Sequence, residues 1–281
     1  MIKFASLLDA LVYSPSRNRK LCLIADYLRE APDPDRGWVL AALTETLTFP
    51  SVKASTIRKL MAERVDPILW KLSRDFVGDT AETASLLWPE PEDKSTYTPT
   101  ISDVVNTLNA MTRSNASVEL AKLLNGLNVS NRHALIKLAT GGMRVGVSAR
   151  LAKTAFAQAF AVDIEDVEEY WHGVDPPYTE LFAWAAGEAD PPDLRSRPLF
   201  RPFMLALPLE ETKIELTDFA AEWKWDGIRV QLVHVENDRG GETRLYSRGG
   251  ENISDSFPEL IDAFRIPAVL DGELFVRGNK Q

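Results

Sequence analysis

The stretch that decides the fold of the second part of the chain reads Glu222-Trp223-Lys224-Trp225-Asp226-Gly227-Ile228-Arg229. Apolar residues alternate through it and beyond it, a pattern typical of a half-buried β-strand. Lys224 lies inside this run, with carboxylates on either side at Glu222 and Asp226. A neutral lysine amine held in this way is a nucleophile for an electrophilic phosphorus or carbonyl. The plainer alternative is a solvated lysine that snorkels from the strand.

The length, cysteine count and net charge of the chain limit the class of protein. Its 281 residues are enough for two domains, and the single cysteine, Cys22, excludes an intramolecular disulfide and a cysteine-based zinc site. Cys22 stands among apolar residues and is predicted to be buried. The net charge of −9 disfavours a nucleic-acid partner only if charge is spread evenly, because local basic faces make such contacts. No apolar run is long enough to span a bilayer, so no membrane partner is expected.

Helical periodicity dominates the chain before residue 200. Apolar residues three and four positions apart predict stacked short helices, with a break at Ser14-Pro15-Ser16. A clear stripe runs from Ile101 to Met111, and Ser130 is a possible cap for a later helix. The predicted helices cover approximately residues 1–30, 38–48, 54–64, 66–78, 80–88, 101–111, 117–127, 132–139, 149–160, 163–172 and 178–186.

The pattern changes near residue 188. A proline- and arginine-rich segment over 188–202 is typical of a linker, and strands are then predicted over 221–235, 243–247 and 268–276. Asp238-Arg239-Gly240-Gly241 is predicted to connect a hairpin, and a short helix is predicted over 255–265. The fold class is therefore α+β and multidomain, with an all-α domain over 1–187 and an antiparallel sheet domain over 203–281.

A glycine-rich turn within a basic region is the first candidate site. Between Asn131 and Val162 the chain has no acidic residue. Three glycines allow backbone N–H groups to approach a phosphate, and Ser148 could cap a helix whose N-terminus favours an anion. This suits a nucleic-acid backbone, while a tight turn between packed helices is the alternative. The candidate nucleic-acid-binding residues are Lys137, Gly141, Gly142, Arg144, Gly146 and Ser148.

The predicted sheet is the second candidate site. Lys224 is joined there by Arg229, by Arg248 in the stretch 247–252 and by Glu273 in Asp271-Gly272-Glu273. Transfer of a nucleotidyl group to a lysine needs an amine, cations for the phosphates, and a carboxylate for a hydroxyl or Mg²⁺. Arg248 and Asp271-Gly272 could each be turn residues, but all three motifs in this order are unlikely to arise by chance.

With these motifs the chain resembles ATP-dependent DNA ligases of the helical-domain type, found in archaea, eukaryotes and bacteria. The run around Lys224 matches the nucleophile motif of that family, and the stretches at 247–252 and 271–273 are similar to its next two motifs. The loop 141–148 is similar to a recognisable part of its DNA-binding domain. Pro202-Phe203 looks like the entry to the adenylation domain, although Phe203 stands where the family often has proline.

The resemblance implies a role for each matched residue. Lys224 would attack the α-phosphate of ATP to form a lysine–AMP phosphoramidate, and Glu222 would lie beside the adenine. Arg229 and Arg248 would contact ribose and phosphate, and Glu273 would bind the ribose hydroxyl or the metal. Asp226 would support the lysine loop. The AMP would then pass to the 5′-phosphate of a nick, where the adjacent 3′-hydroxyl displaces it.

The resemblance also implies the partners. These are nicked double-stranded DNA, ATP and Mg²⁺, with the protein a cytoplasmic monomer associated with the bacterial nucleoid. The family continues past the third motif with further nucleotide-binding residues and an OB-fold domain, whereas this sequence ends at Gln281. The expectation is a chain truncated within the adenylation domain that binds DNA, cannot seal nicks, and adenylates itself poorly or not at all.

Three other classes of protein are alternatives. RNA capping enzymes and RNA ligases share the lysine motif, but do not carry some two hundred helical residues before it. NAD-dependent ligases have a shorter leading domain with a tyrosine-rich nicotinamide site, which is not found here. The main alternative is a non-catalytic DNA-binding protein with a degenerate nucleotidyltransferase domain.

Overall fold

A computed structural model describes residues 1–91, 98–194, 197–204, 217, 220, 223–236 and 240–275. The chain divides into two compact units. The helical unit comprises Met1–Val167 and Val174–Asp190, and the sheet unit comprises Glu168–Gly173 and Pro191–Gln281. The described residues form thirteen α-helices and one three-stranded antiparallel sheet, which confirms the α+β class. The domain limits at 187 and 203 stay a prediction.

Twelve of the helices precede the sheet, close to the positions that the apolar spacing predicts. They are α1 (Ile2–Val12), α2 (Arg17–Glu30), α3 (Asp35–Leu43), α4 (Ala54–Ala62), α5 (Pro67–Val77), α6 (Thr80–Leu87), α7 (Ile101–Ala110), α8 (Ala116–Asn125), α9 (Val129–Thr140), α10 (Ala149–Phe160), α11 (Ile164–Trp171) and α12 (Thr179–Ala185). None of these described helices is long and apolar enough to cross a lipid bilayer.

Side-chain caps explain where several helices begin. Ser16 accepts a hydrogen bond from Arg19 N at the start of α2, and Ser148 accepts one from Leu151 N at the start of α10. The prediction of Ser130 as a cap is wrong. Asn128 caps α9 instead, which places Ser130 inside the first turn, where its hydroxyl donates to Asp9 Oδ2 at 2.8 Å.

The core of the helical unit follows the helical period. In α2 the buried residues are Leu21, Ile24, Ala25 and Leu28, spaced three and four apart, and this face packs against α10. Cys22 falls on the opposite face and is exposed. Its predicted burial is therefore wrong, because apolar neighbours in sequence are not neighbours on a helix.

The sheet unit contains β1 (Ile228–Val235), β2 (Glu242–Ser247) and β3 (Ala268–Leu274), in the order β2-β1-β3. Both pairings are antiparallel. A 3₁₀ turn, Ser254–Ser256, and α13, Pro258–Ala263, lie between β2 and β3. The predicted first strand was too long at its start, because pairing with β3 begins only at Ile228. The predicted hairpin connection lies partly outside the described residues.

Residues 198–204 run along one face of the sheet. Tyr246 Oη donates to Pro198 O at 2.6 Å, and Gln231 bonds both backbone groups of Arg201, at 2.7 and 2.9 Å. Phe200 packs with Val233 and Tyr246 in a small buried cluster. Residues 198–202, which composition assigns to a linker, thus form part of the sheet unit.

Candidate functional site

The strand register brings the sheet motifs to one end of the sheet. Lys224 precedes the first residue of β1, and Arg229 is the second residue of that strand. Arg229 pairs with Glu273 near the end of β3, and Val230 pairs with Ser247 at the end of β2, so that Arg248 follows directly. Four residues that are distant in sequence therefore lie at one end of the sheet, called here the motif end.

Lys224 lies in an irregular segment before the sheet rather than within a strand. The segment from Trp223 to Gly227 is exposed, with Trp223 85% and Trp225 65% accessible. The indole of Trp225 packs edge-on against Phe275, with ring centroids 5.6 Å apart. Lys224 therefore lies on an exposed surface, and its neighbour Trp225 is held by the contact with Phe275.

Gly227 is required by close packing at the motif end. A Cβ at this position would lie 2.5 Å from Leu274 O and 3.1 Å from Glu273 Cγ. Gly227 N also donates to Glu273 Oε1 at 2.9 Å. Glu273 thus fixes the backbone three residues after Lys224, a contact that the motif pattern did not predict.

Arg229 is held by Asp271, two residues before Glu273 on β3. Nε donates to Oδ1 at 3.1 Å and Nη2 to Oδ2 at 2.7 Å, a bidentate pair. The hydrogen bond to Asp271 raises the pKa of the Arg229 guanidinium. Nη2 also donates to Met204 O at 3.0 Å. The sequence motifs alone singled out Arg229 and Glu273 but not the role of Asp271.

Arg248 stands at the tip of a tight turn. Gly250 N donates to Ser247 O at 2.9 Å, and Ser247 Oγ accepts from Gly249 N and Glu251 N. Gly250 has a φ of +83°, and a Cβ there would lie 3.0 Å from the Phe200 ring. The turn leaves Arg248 exposed. Glu222, the remaining candidate of this site, lies outside the described residues.

The Glu273 carboxylate at the motif end fits a magnesium ion that is shared with a substrate, whereas both Asp271 oxygens are held by Arg229. Asp271 and Glu273 are two residues apart on β3 and therefore lie on the same face. Mg²⁺ is usually bound by one or two carboxylates together with phosphate oxygens and water. No group of three metal-ligating side chains occurs among the described residues.

The glycine-rich loop of the helical unit is anchored by apolar residues and exposes polar ones. Met143 and Val145 are buried, whereas Arg144 and Gly146 between and after them are exposed. Gly141 ends α9 with a φ of +70°, and Gly146 has a φ of +65°. Ser148 then caps α10. Of the candidates here, Gly141, Arg144, Gly146 and Ser148 lie on the exposed side, and Gly142 is partly buried.

A groove of about 610 Å³ adjoins this loop. It is lined by the starts of α2 and α10, so two helix N-termini open onto it. Lys20 Nζ ties α2 to the loop that precedes α10, because it donates to Val145 O at 2.6 Å and to Gly146 O at 3.1 Å. Arg17 and Arg150 complete the basic lining. Sequence reasoning missed Arg17 and Lys20, although both follow a visible helix break.

Lys137 occupies a different environment from the loop. Its side chain is 9% exposed, and its amine donates to Asp79 Oδ2 at 2.6 Å. Asp79 also caps α6 by accepting from Ala81 N and Glu82 N. Burial opposes ionisation of Asp79, but the bonds from Lys137 and the backbone outweigh it and lower its pKa. Lys137 therefore joins two helices, and its amine does not lie on the loop surface.

The motif end is typical of a nucleotidyltransferase-type domain, because it combines a lysine, two arginines and an acid at one end of an antiparallel sheet. Residues 203–281 match the family described as the ATP dependent DNA ligase domain. The resemblance found in the sequence is thereby confirmed for the sheet unit.

Relatives extend the likeness to the rest of the chain. A probable DNA ligase of Anaeromyxobacter sp. (strain Fw109-5) is 37% identical over 172 residues, which cover 57% of this chain and 32% of the relative. DNA ligase 1 of Korarchaeum cryptofilum (strain OPF8) is 27% identical over 301 residues, covering 97% and 52%. A DNA ligase of Thermococcus onnurineus (strain NA1) is 27% identical, covering 92% and 50%. The chain thus spans about half or less of the length of these relatives.

Proposed function

We propose that this chain carries out the adenylation chemistry and the DNA binding of an ATP-dependent DNA ligase. The observation that carries the proposal is the strand register, which gathers Lys224, Arg229, Arg248 and Glu273 at the motif end. The match of residues 203–281 to the ligase domain and the relatives named DNA ligase support the same class of reaction.

The chemical step is a displacement at phosphorus. The Lys224 amine attacks the α-phosphorus of ATP, a nitrogen–phosphorus bond forms, and the bond to the pyrophosphate oxygen breaks. The amine loses a proton, and pyrophosphate leaves. Arg229 and Arg248 offset the charge on the phosphate oxygens, and Glu273 holds the lysine segment through Gly227 N.

Glu273 is the residue that would hold a magnesium ion, on the side of the sheet where Arg229 lies. A divalent cation there would neutralise charge on the phosphate oxygens. The ligase reaction then transfers AMP to the 5′-phosphate of a nick, and the adjacent 3′-hydroxyl displaces it.

The helical unit supplies the proposed contact with duplex DNA. Arg144 projects from the loop between two buried residues, and the adjoining groove adds Arg17, Arg150 and two helix N-termini. Backbone N–H groups, helix N-termini and arginines contact phosphates without reading base sequence. Gly141, Gly142, Gly146 and Ser148 allow the phosphate backbone to approach closely.

The decisive experiment is covalent labelling of the whole chain with ATP and Mg²⁺. A label carried by the α-phosphate and absent with γ-labelled ATP identifies adenylation rather than phosphorylation. We expect a weak label in the wild type, its loss in Lys224→Ala and Lys224→Arg, and its retention in Lys71→Ala, which changes an exposed lysine of α5. An equal label in Lys224→Ala contradicts the proposed nucleophile.

DNA binding is measured separately, by titration of nicked and intact duplex at several salt concentrations. Phosphate contacts predict an affinity that falls steeply with salt for both duplexes. Binding of this kind without any label in the wild type supports the alternative, a non-catalytic DNA-binding protein. A capping enzyme is favoured instead by labelling without duplex binding.

A further inference from the structure

Arg229 is engaged on two sides by groups that are not part of its own motif. One side is the bidentate pair with Asp271 described above. On the other, the ring of Phe203 lies against the guanidinium, with its centroid 4.5 Å from Cζ. This distance is typical of a cation–π contact. Phe203 is the position at which the chain differs from the proline that the family often has.

Phe203 is itself held in place by the sheet. Its ring packs edge-on against Phe200 at 5.4 Å, and Phe200 belongs to the buried cluster with Val233 and Tyr246. Arg201, two residues before it, is bonded to Gln231 of the sheet, and Met204, directly after it, is bonded to Arg229. These contacts therefore restrict the position of the Phe203 ring.

The donors of the guanidinium are unequally used. Nε and Nη2 make the contacts with Asp271 and Met204 O, whereas no described residue accepts from Nη1. A guanidinium has five N–H donors in a rigid plane, two of them on Nη1. Fixing the other side of that plane therefore sets the direction in which the Nη1 donors point.

We propose that Phe203 and Asp271 are positioning residues that hold the Arg229 guanidinium between them, so that its Nη1 donors face the phosphate or ribose of the bound nucleotide. This inference rests on the proposed function, because it assigns the nucleotide as the ligand of Nη1. Phe203 sets the plane of the guanidinium, and Asp271 sets its rotation within that plane. A guanidinium oriented before binding loses less freedom when the nucleotide arrives.

The first test observes the guanidinium directly, by NMR of the arginine side-chain nitrogens in the whole chain. Arg229→Lys identifies the Arg229 signals by their disappearance. We expect slow rotation about Nε–Cζ in the wild type and faster rotation in Asp271→Asn and Phe203→Leu. Asp262→Asn, which changes an exposed aspartate of α13, and Phe264→Leu, whose ring packs on His234, serve as controls. Unchanged rotation in both test variants overturns the positioning role.

The second test adds ATP and Mg²⁺ to the same samples. We expect ATP to shift the Nη1 signals of the wild type, and to shift them only at higher concentration in the two variants. If ATP leaves the Nη1 signals unchanged in the wild type, the assignment of the nucleotide to Nη1 is overturned.

The third test measures how covalent labelling depends on ATP concentration. Loss of the charged partner in Asp271→Asn is expected to raise the half-maximal concentration by about tenfold, and Phe203→Leu by about threefold. The limiting extent of labelling should be nearly unchanged. Equal ATP dependence in wild type and variants overturns the inference but leaves the proposed function intact. Absence of wild-type labelling with an ATP-responsive Nη1 contradicts the proposed lysine chemistry and leaves the inference standing.

Discussion

The groove of the helical unit and the motif end of the sheet unit both present arginines, but they hold them in opposite ways. At the motif end, Arg229 is paired with the Asp271 carboxylate on the neighbouring strand β3. Beside the groove, no described carboxylate pairs with Arg17 or Arg144, and Lys20 is tied to backbone carbonyls. Uncompensated cations attract any polyanion, whereas a paired cation has a defined orientation. Under the proposed function, the cations of the helical unit would bind by charge and Arg229 of the sheet unit would be positioned by its partner.

The largest expected effect is that of a glycine-to-alanine substitution at the motif end, compared with the same change in the loop of the helical unit. Gly227→Ala places a Cβ 2.5 Å from Leu274 O, so the segment that carries Lys224 must move. A displacement of about 1 Å from a reactive geometry costs on the order of a hundredfold in rate, and we expect that loss in the labelling assay. Gly142→Ala, whose Cβ would meet only Thr140 Oγ1 at 3.8 Å, should leave the loop in place. It can only hinder the close approach of a phosphate, so it should lower DNA affinity far less than Gly227→Ala lowers labelling. Similar effects of the two substitutions would remove the distinction between the regions.

Lys137 is a structural cation, unlike Arg17 and Arg144 of the same unit, which are proposed to contact DNA. In Lys137→Met the buried partner of Asp79 is lost, and the free energy of unfolding should fall by roughly 1–3 kcal/mol. The value is below that of a fully buried pair because Asp79 is 32% exposed. Urea unfolding measures the loss, and DNA affinity of the folded variant should equal that of the wild type. A clear loss of affinity at full folding would return Lys137 to the DNA-binding surface.

The next effect concerns the groove and the loop together. Arg17→Ala combined with Arg144→Ala should weaken binding to nicked and intact duplex alike, by about tenfold at moderate salt. Each lost phosphate contact should also reduce the slope of affinity against salt by about 0.9. Arg29→Ala is the matched control, because Arg29 lies at the other end of α2 and pairs with Asp26. An unchanged salt slope in the double variant would exclude this surface as the site of DNA contact.

The smallest expected effect is a pH dependence of stability. The pKa of Asp79 is lower in the folded chain than its ordinary value of 3.8. Its contribution is therefore fully present above that value and is lost as the pH falls through the lowered one. Acid titration of the unfolding free energy should show this loss in the wild type and a smaller one in Lys137→Met. Parallel curves for the two proteins would show that the pair does not lower this pKa.

The success of the sequence predictions depended on how local each feature is. Helix positions followed from apolar spacing within a turn or two, so α7 and α10 lie where the pattern put them. Caps were less certain, because Asn128 and Ser130 both suit the start of α9 and only the chain geometry selects between them. The start of β1 was placed too early because the alternation of Trp223 and Trp225 carries no information about where a partner strand ends.

Candidate residues show the same limit. The motifs indicated a ligase domain, and residues 203–281 match one. They did not reveal that Asp271 holds Arg229, or that Arg17 and Lys20 lie beside the loop. Contacts of this kind join residues 42 and 125 positions apart, as for Arg229 with Asp271 and Lys20 with Val145.

By itself, the sequence determined the helical and strand content of each part, the order of the motifs and the family that they resemble. Those features depend on local periodicity and on residue types, which can be read without knowing any distant contact. Only the tertiary structure decided that Lys137 is buried against Asp79, that two helix starts share one groove, and that three motifs meet at one end of the sheet. The reason is that pairing between distant segments is set by packing and strand register, and no local pattern in the chain records either.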